Sequence, residues 1–250
     1  MLTSRRFYLS RSKMLGFLEE LASTKGKAMS VYLPQGTLQA RVENLLGPVF
    51  AGAAIPSGMA EVIAGSGMGA VLFRGPLKTY LVLPPFPVSE EYITDGCAVE
   101  PLHSLLSHDF LIAFVLVRLG AYSIGIGRGT NLIDSKTGTG MVHARHKKGG
   151  SSQARFARHR EKQIEQFMAR VCTHARQHIG PYARALDYLV YGGARTTIFS
   201  LRKQCPFLSQ FEDRILRMLL DIPEPRQAVL EEAISRIWSS HVIEWCGDIS

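Results

Sequence analysis

One helical stripe constrains the fold of this chain more than any other feature. Ile164, Phe167, Met168, Val171, Ala175 and Ile179 recur at the three-and-four spacing of a single helix face. A long amphipathic helix is therefore expected from about Gln153 to His178. Gly180-Pro181 supplies its stop. Apart from Phe156, the stripe begins only at Ile164, and the turns before it are basic. Arg155, His159 and Lys162 share a face at i, i+4 and i+7, flanked by Arg158 and Arg160. One end of this helix needs a sheet to lie on, and the other needs solvent or a polyanion.

The charge distribution separates those two needs. The chain has 250 residues and a net charge of +8. Between Met141 and Arg184 there are 10 Lys/Arg against 2 Asp/Glu, whereas the rest holds 19 against 19. Five of the eight histidines, His143, His146, His159, His174 and His178, fall in the same window. A charge run is ordinarily a solvated helix face. Here the whole net charge lies beside a glycine-rich loop, which favours a nucleic-acid footprint. Lys147 and Lys148 lead into Gly149, Gly150, Ser151 and Ser152, and Gln153 follows with one neutral amide. Glycines let backbone N–H groups come close to a ligand. The positive end of the helix lies directly behind them. Lys147, Lys148, Arg155, Arg158, His159, Arg160 and Lys162 are the expected phosphate contacts.

Other motifs carry less. Gly65 to Gly69 is followed by the strand-like Val71-Leu72-Phe73 where a dinucleotide fingerprint needs a helix. It reads as a hairpin or loop. Gly125 to Gly129 and Lys136 to Gly140 lack the ending of a phosphate-binding loop and read as turns, the second of them flexible. Cys97, Cys172, Cys205 and Cys246 make no CxxC pair, so reduced thiols are expected and a structural zinc is not. Asp109 and Asp134 flank expected strands, where capping or turn roles are the common ones and a metal-dependent nuclease is the alternative. His174 and His178 at i, i+4 admit a metal pair, though such pairs are more often surface residues. No cofactor is called for. The longest apolar run, Leu111 to Val117, is too short to span a membrane. The N-terminal Arg5, Arg6, Arg11 and Lys13 read as a mobile basic arm without the apolar core of a signal peptide. A cytoplasmic protein is expected.

The elements alternate between strand and helix, so the class is mixed α/β. In the first half, a helix over Met14–Leu21, a strand at Met29–Leu33 and a helix at Leu38–Leu46 are followed by short strands at Ala60–Ile63, Gly69–Phe73 and Thr79–Leu83. A boundary is expected near 104–109, dividing an N-terminal α/β domain, 1–105, from a second domain, 106–250. The second domain opens with a hairpin, Asp109–Leu119 and Ala121–Gly127, and a third strand near Asn131–Ser135. After the long helix come a buried strand at Tyr188–Tyr191 and helices at Thr196–Lys203, Phe211–Leu219 and Arg226–Ser239.

The segment HKKGGSSQARFARHREKQIEQFMARVCTHA resembles the catalytic loop and helix of the eukaryotic and archaeal class-one peptide-chain release factors. Those have a GGQ loop followed by a basic RFAR helix, and Arg155-Phe156-Ala157-Arg158 stands here as RFAR. Tyr188 to Gly193 (YLVYGG) and Phe211 to Pro223 (FEDRILRMLLDIP) continue the similarity. The resemblance covers roughly Ser107 onward and implies the RNase H-like α/β fold of the release-factor middle domain. Counting back from RFAR, Ser151 holds the GGQ glutamine position and the glutamine is Gln153. That arrangement is similar to the Vms-like release factors of ribosome quality control. SVYLP at 30–34, GAVLFRG at 69–75 and VLPPFPV at 82–88 resemble the N-terminal region of bacterial and archaeal members. No NIKS-like stop-codon-reading motif is present, so codon-independent release of stalled chains is the implied role.

The partners implied by the resemblance are the large ribosomal subunit and peptidyl-tRNA. Catalysis would rest on Gln153 with Gly149, Gly150, Ser151 and Ser152. A glutamine has no useful pKa and cannot be a general base, but its amide can orient a nucleophile. That nucleophile is either water attacking the ester or a ribose 2′-OH attacking a phosphate near the CCA end. The loop is expected to order only on the ribosome. Two other classes stay open: a non-catalytic ribosome or tRNA binder, and a metal-dependent RNase H-type nuclease using Asp109 or Asp134.

Overall fold

The chain lays out two sheets, seen in a computed structural model that describes residues 3–23, 26–142 and 152–246. The chain forms two compact units, Met1–His108 with Ser235–Ser250, and Asp109–Ile234. The class is mixed α/β, as expected.

The first unit begins with β1 (Thr3–Leu9) and α1 (Arg11–Ser23), then β2 (Met29–Leu33), α2 (Gln39–Phe50) and α3 (Met59–Ala64). It continues through β3 (Ala70–Arg74), β4 (Lys78–Leu83), β5 (Tyr92–Asp95) and α4 (Glu100–Ser107). Helices cover both sheet faces. Val42, Leu46, Val49 and Phe50 of α2 and Met59 and Ile63 of α3 pack on Val31, Leu33, Leu72 and Leu81. Met14 and Leu18 of α1, with Leu102 and Leu106 of α4, pack on Tyr32, Val71, Phe73 and Val82. Burial on both faces explains why MSVYL and AVLFR read as continuous apolar runs rather than alternating ones.

The second unit runs β6 (Leu111–Arg118), β7 (Ala121–Arg128), β8 (Asn131–Thr139), α5 (Ser152–Ile179), β9 (Tyr188–Gly193), α6 (Arg195–Gln204), α7 (Pro206–Ser209), β10 (Ile215–Leu220) and most of α8 (Gln227–Ile237). Its sheet has the order β10-β9-β6-β7-β8. The meander β6-β7-β8 is antiparallel, and β9 and β10 add in parallel. β6 is the middle strand, and seven of its eight residues are buried. Gly193 at the end of β9 has φ +122°, and a Cβ there would lie 2.0 Å from the Val117 carbonyl oxygen. Only glycine fits that crossing.

The last strand, β11 (Ser240–Cys246), returns to the first unit. It pairs antiparallel with β1 on one side and β4 on the other, completing the order β1-β11-β4-β3-β2-β5. The sequence reading assigned everything after 105 to the second domain. In the structure SHVIEWC belongs with the first, where Val242, Ile243 and Trp245 enter its cores. The basic N-terminal arm is likewise an edge strand, because β11 gives β1 a partner.

Further elements differ from the sequence reading. Ala60–Ile63 lies within a helix, α3, because Met59 and Ile63 one turn apart bury a single side. Phe211–Leu219 is a short 3-10 turn followed by strand β10, a short apolar run that finds a parallel neighbour in β9. β7 runs through Gly125 and Gly127 to Arg128, as the strand reading of Ala121–Gly127 had it rather than the turn reading of Gly125 to Gly129, and β8 extends through Lys136–Thr139, which had read as a flexible turn. Cys172 and Cys205, expected as free thiols, form a disulfide. The packing of α5 against α6 brings these two together across 33 residues, a juxtaposition that sequence spacing does not display.

Candidate nucleic-acid interface

The site is organised by α5. Its buried side begins at Phe167 and runs through Met168, Val171, Ala175 and Ile179 into the core made by β6, β7 and the helices after β9. The end of β8 fixes the helix at that level. Arg170 donates from Nη1 to the Thr139 carbonyl at 3.0 Å. A Cβ on Gly140 would lie 2.6 Å from the Phe167 ring, so any side chain at the strand end would have to displace that ring.

Above that anchor the helix changes character. No side chain from Arg155 to Gln166 is buried. Arg155, Arg158, His159 and Lys162 are exposed, and Arg160 is half-buried. Phe156 is 57% exposed, although its neighbours in RFAR are charged or small. Among the described residues no ion pair is formed by Arg155, Arg158 or Lys162. Three unpaired cations on the first turns of a long helix raise the local positive potential where the helix dipole is also positive.

Ser152 and Gln153 are the first two residues of α5. Their side chains lie outside the described residues, as do Lys147, Lys148, Gly149, Gly150 and Ser151. The expected start of the helix, about Gln153, is thus within a residue of the observed one.

The lower half of α5 holds a polar cluster that sequence reasoning touched but did not assemble. His178 Nδ1 lies 3.0 Å from a carboxylate oxygen of Asp134 on β8. His174 Nδ1 lies 3.1 Å from the Gln177 amide oxygen, and its ring stacks on Tyr122 at 5.7 Å. The i, i+4 histidines thus face separate partners, and Asp134 serves to hold the helix to the sheet. Among the described residues no three His, Cys, Asp or Glu side chains gather as a metal-holding group. No helix among them is long and apolar enough to cross a membrane.

Missed from sequence were the disulfide and the buried polar ties of the second unit. Asp187 Oδ2 accepts from the Leu111 amide at 2.7 Å. Arg214 donates to the Ala183 and Leu186 carbonyls at 3.0 and 2.9 Å. Neither has a local sequence signal, since both pairs are far apart along the chain.

A family model described as Actinobacteria/chloroflexi VLRF1 release factor matches residues 111–243. Peptide chain release factor subunit 1 of Archaeoglobus fulgidus is 29% identical over 133 residues, which are 52% of this chain and 33% of that protein. The chain thus spans about a third of that relative's length. Among solved structures, the archaeal translation termination factor aRF1 is similar at 18% identity with a TM-score of 0.42, over 92% of this chain and 73% of that one. Pelota of Archaeoglobus fulgidus is similar at 10% identity with a TM-score of 0.27, over 93% and 63%.

Proposed function

The chain belongs to the Actinobacteria/chloroflexi VLRF1 release factor family, whose model covers more than half of it, and from that membership we propose that it frees nascent chains from peptidyl-tRNA on stalled ribosomes. The observation that carries this reading is the exposed basic head of α5, Arg155 to Lys162, standing directly behind Gln153. The strand order β8-β7-β6-β9-β10, with the first three antiparallel and the rest parallel, supports the RNase H-like arrangement expected of a release-factor middle domain.

In this reading Lys147, Lys148, Arg155, Arg158, His159, Arg160 and Lys162 hold phosphates of the tRNA end and of the large ribosomal subunit. Gly149, Gly150, Ser151 and Ser152 let the backbone approach the acceptor end. The Gln153 amide orients the nucleophile, which a group without a useful pKa can do by hydrogen bonding alone. In ester hydrolysis a water oxygen bonds to the carbonyl carbon and the ribose 3′ oxygen leaves, giving a free peptide and an intact tRNA. In the alternative step a ribose 2′-OH bonds to the adjacent phosphorus and the 5′ oxygen leaves, giving a tRNA shortened by its CCA end. Both are hydrolase-class or transfer steps on the same substrate.

The test is incubation with ribosome-bound peptidyl-tRNA, reading both peptide release and the tRNA 3′ end. Gln153→Ala is expected to abolish release while ribosome binding persists. Release by that variant at the wild-type rate would overturn the role given to Gln153. Release that is equal with and without a chelator argues against a metal-dependent nuclease route through Asp109 or Asp134.

A further inference from the structure

Helix α6 carries an exposed aromatic between two exposed cations, and no part of the proposed catalytic site uses it. Phe199 is 71% exposed. Arg195 and Lys203 are also exposed, one helical turn before and one after it. The opposite side of α6 is the one that packs, through Thr197, Ile198 and Leu201. Among the described residues neither Arg195 nor Lys203 forms an ion pair. The helix contains no acidic residue. Arg202, the remaining cation, is engaged elsewhere, hydrogen-bonded to Glu212 and set over the Tyr191 ring.

A solvent-exposed phenylalanine has an unsatisfied apolar face, and here it is framed by positive charge at about 6 Å of helix rise on either side. A nucleic-acid base offers a flat apolar face, with a phosphate before and after it. Stacking on an aromatic ring with cations to both sides is how unpaired nucleotides are held without sequence readout. Residues 109–234 contain 19 Lys/Arg against 11 Asp/Glu, which accounts for the entire +8 of the chain. Cys205, the residue that ends α6, is disulfide-bonded to Cys172 of α5. The α6 face is therefore held in a fixed relation to the helix that leads from Gln153.

We propose that the Arg195-Phe199-Lys203 face of α6 is a second RNA contact, which takes one unpaired nucleotide by stacking its base on Phe199 with a flanking phosphate at each cation. The inference rests on the RNA-directed reading above, and it names a surface separate from the α5 head.

The experiment uses the full chain with an oligouridylate of about 12 nucleotides and, for comparison, an RNA hairpin duplex of equal phosphate content. Phe199→Ala is expected to weaken oligouridylate binding about tenfold and leave duplex binding unchanged, with the thermal midpoint held because the side chain is exposed. Phe199→Trp is expected to retain affinity, and its indole fluorescence should be quenched by oligouridylate but not by the duplex. Trp238 and Trp245 are buried, so they supply a constant background. Oligouridylate binding by Phe199→Ala equal to wild type would overturn the proposal. So would equal quenching of Phe199→Trp by polyglutamate, which would identify an acidic protein as the occupant. The readout is binding without release, so it separates from the Gln153 test. Loss of oligouridylate binding in Phe199→Ala alongside active Gln153→Ala keeps the α6 contact and removes the catalytic reading. The reverse pattern removes the α6 contact alone.

Discussion

The two units of this protein divide charge and chain in opposite ways. The first holds 10 Lys/Arg against 10 Asp/Glu, and the second holds 19 against 11. The first is closed by a strand from the far end of the chain, β11, between β1 and β4. The second is built from consecutive segments, a meander followed by helices and two parallel strands. Surplus positive charge repels itself and contributes nothing to compactness. Its confinement to one unit is what the proposed RNA contact calls for, whereas the neutrality of the other is what a fold maintained by packing alone would show. The difference is that a distant strand closes one part of the chain, while the surplus charge collects in the other.

The sharpest way to break this comparison is to remove β11. Ending the chain at Ser239 takes away Val242 and Ile243, both essentially fully buried, and Trp245, which is 8% exposed. Each such side chain contributes about 1.5–3 kcal/mol by burial. Ladder bonds on both sides of the strand go as well. The sum is comparable with the whole stability of a domain, about 5–15 kcal/mol. Segment-resolved hydrogen exchange should show β2, β3 and β4 losing protection while β6, β7 and β9 keep theirs. Retained protection in β2–β4 would mean that the first unit does not depend on its last strand.

Sequence legibility follows the same division. β6, β7 and the α5 stripe were readable because their patterns are local: a continuous apolar run, a two-residue link and a three-and-four spacing. α5 was placed within a residue of its start, and the basic head above the stripe stands exposed as the charge pattern implied. β1 and β11 were not readable, because every strand that pairs with them lies more than 150 residues away along the chain. β10 was misread for a related reason. ILRMLL suits a helix or an edge strand equally, and only the neighbouring β9 decides. The Cys172–Cys205 bond depends on helix packing that no spacing encodes. Of the candidate site, the exposed basic head of α5 was legible from motif and charge, while the polar tie between His178 and Asp134 was not, its two residues being 44 apart along the chain.

A smaller effect tests whether the charge of the second unit serves binding rather than folding. Arg155→Glu with Arg158→Glu reverses two exposed cations of α5 that have no acidic partner among the described residues. If each contacts one phosphate, the slope of log K against log salt should shrink by about 0.7–0.9 per contact. tRNA affinity at moderate salt should drop about tenfold to a hundredfold, and the thermal midpoint should stay within a degree or two. Titration of tRNA at several salt concentrations measures both quantities. An unchanged slope would return this helix face to ordinary solvated charge and leave the two units different in composition only.

The smallest effect concerns how the neutral unit responds to acid. His241 of β11 stacks on Tyr8 at 4.7 Å, and burial, followed by the nearby Arg6, lowers its pKa from the usual 6.5. Because the folded value is depressed, the unfolded chain takes up the proton first as pH falls. The stability held at neutral pH is thus lost from about pH 7 downward, until the folded imidazole also protonates. Glu244, three residues on, adds a second loss at lower pH. Its carboxylate accepts a hydrogen bond from Lys78 Nζ at 2.7 Å, which holds its pKa below the usual range. That contribution is present above the ordinary carboxylate value and disappears as pH falls through the depressed one. His241→Phe keeps a ring against Tyr8 and removes the first titration. Denaturant unfolding monitored through Trp238 and Trp245, both in the first unit, should then show a flatter dependence from about pH 7 downward, above the carboxylate range. The steeper loss in the carboxylate range should remain. An unaltered dependence in the upper window would mean that the histidine is not what couples this strand to pH.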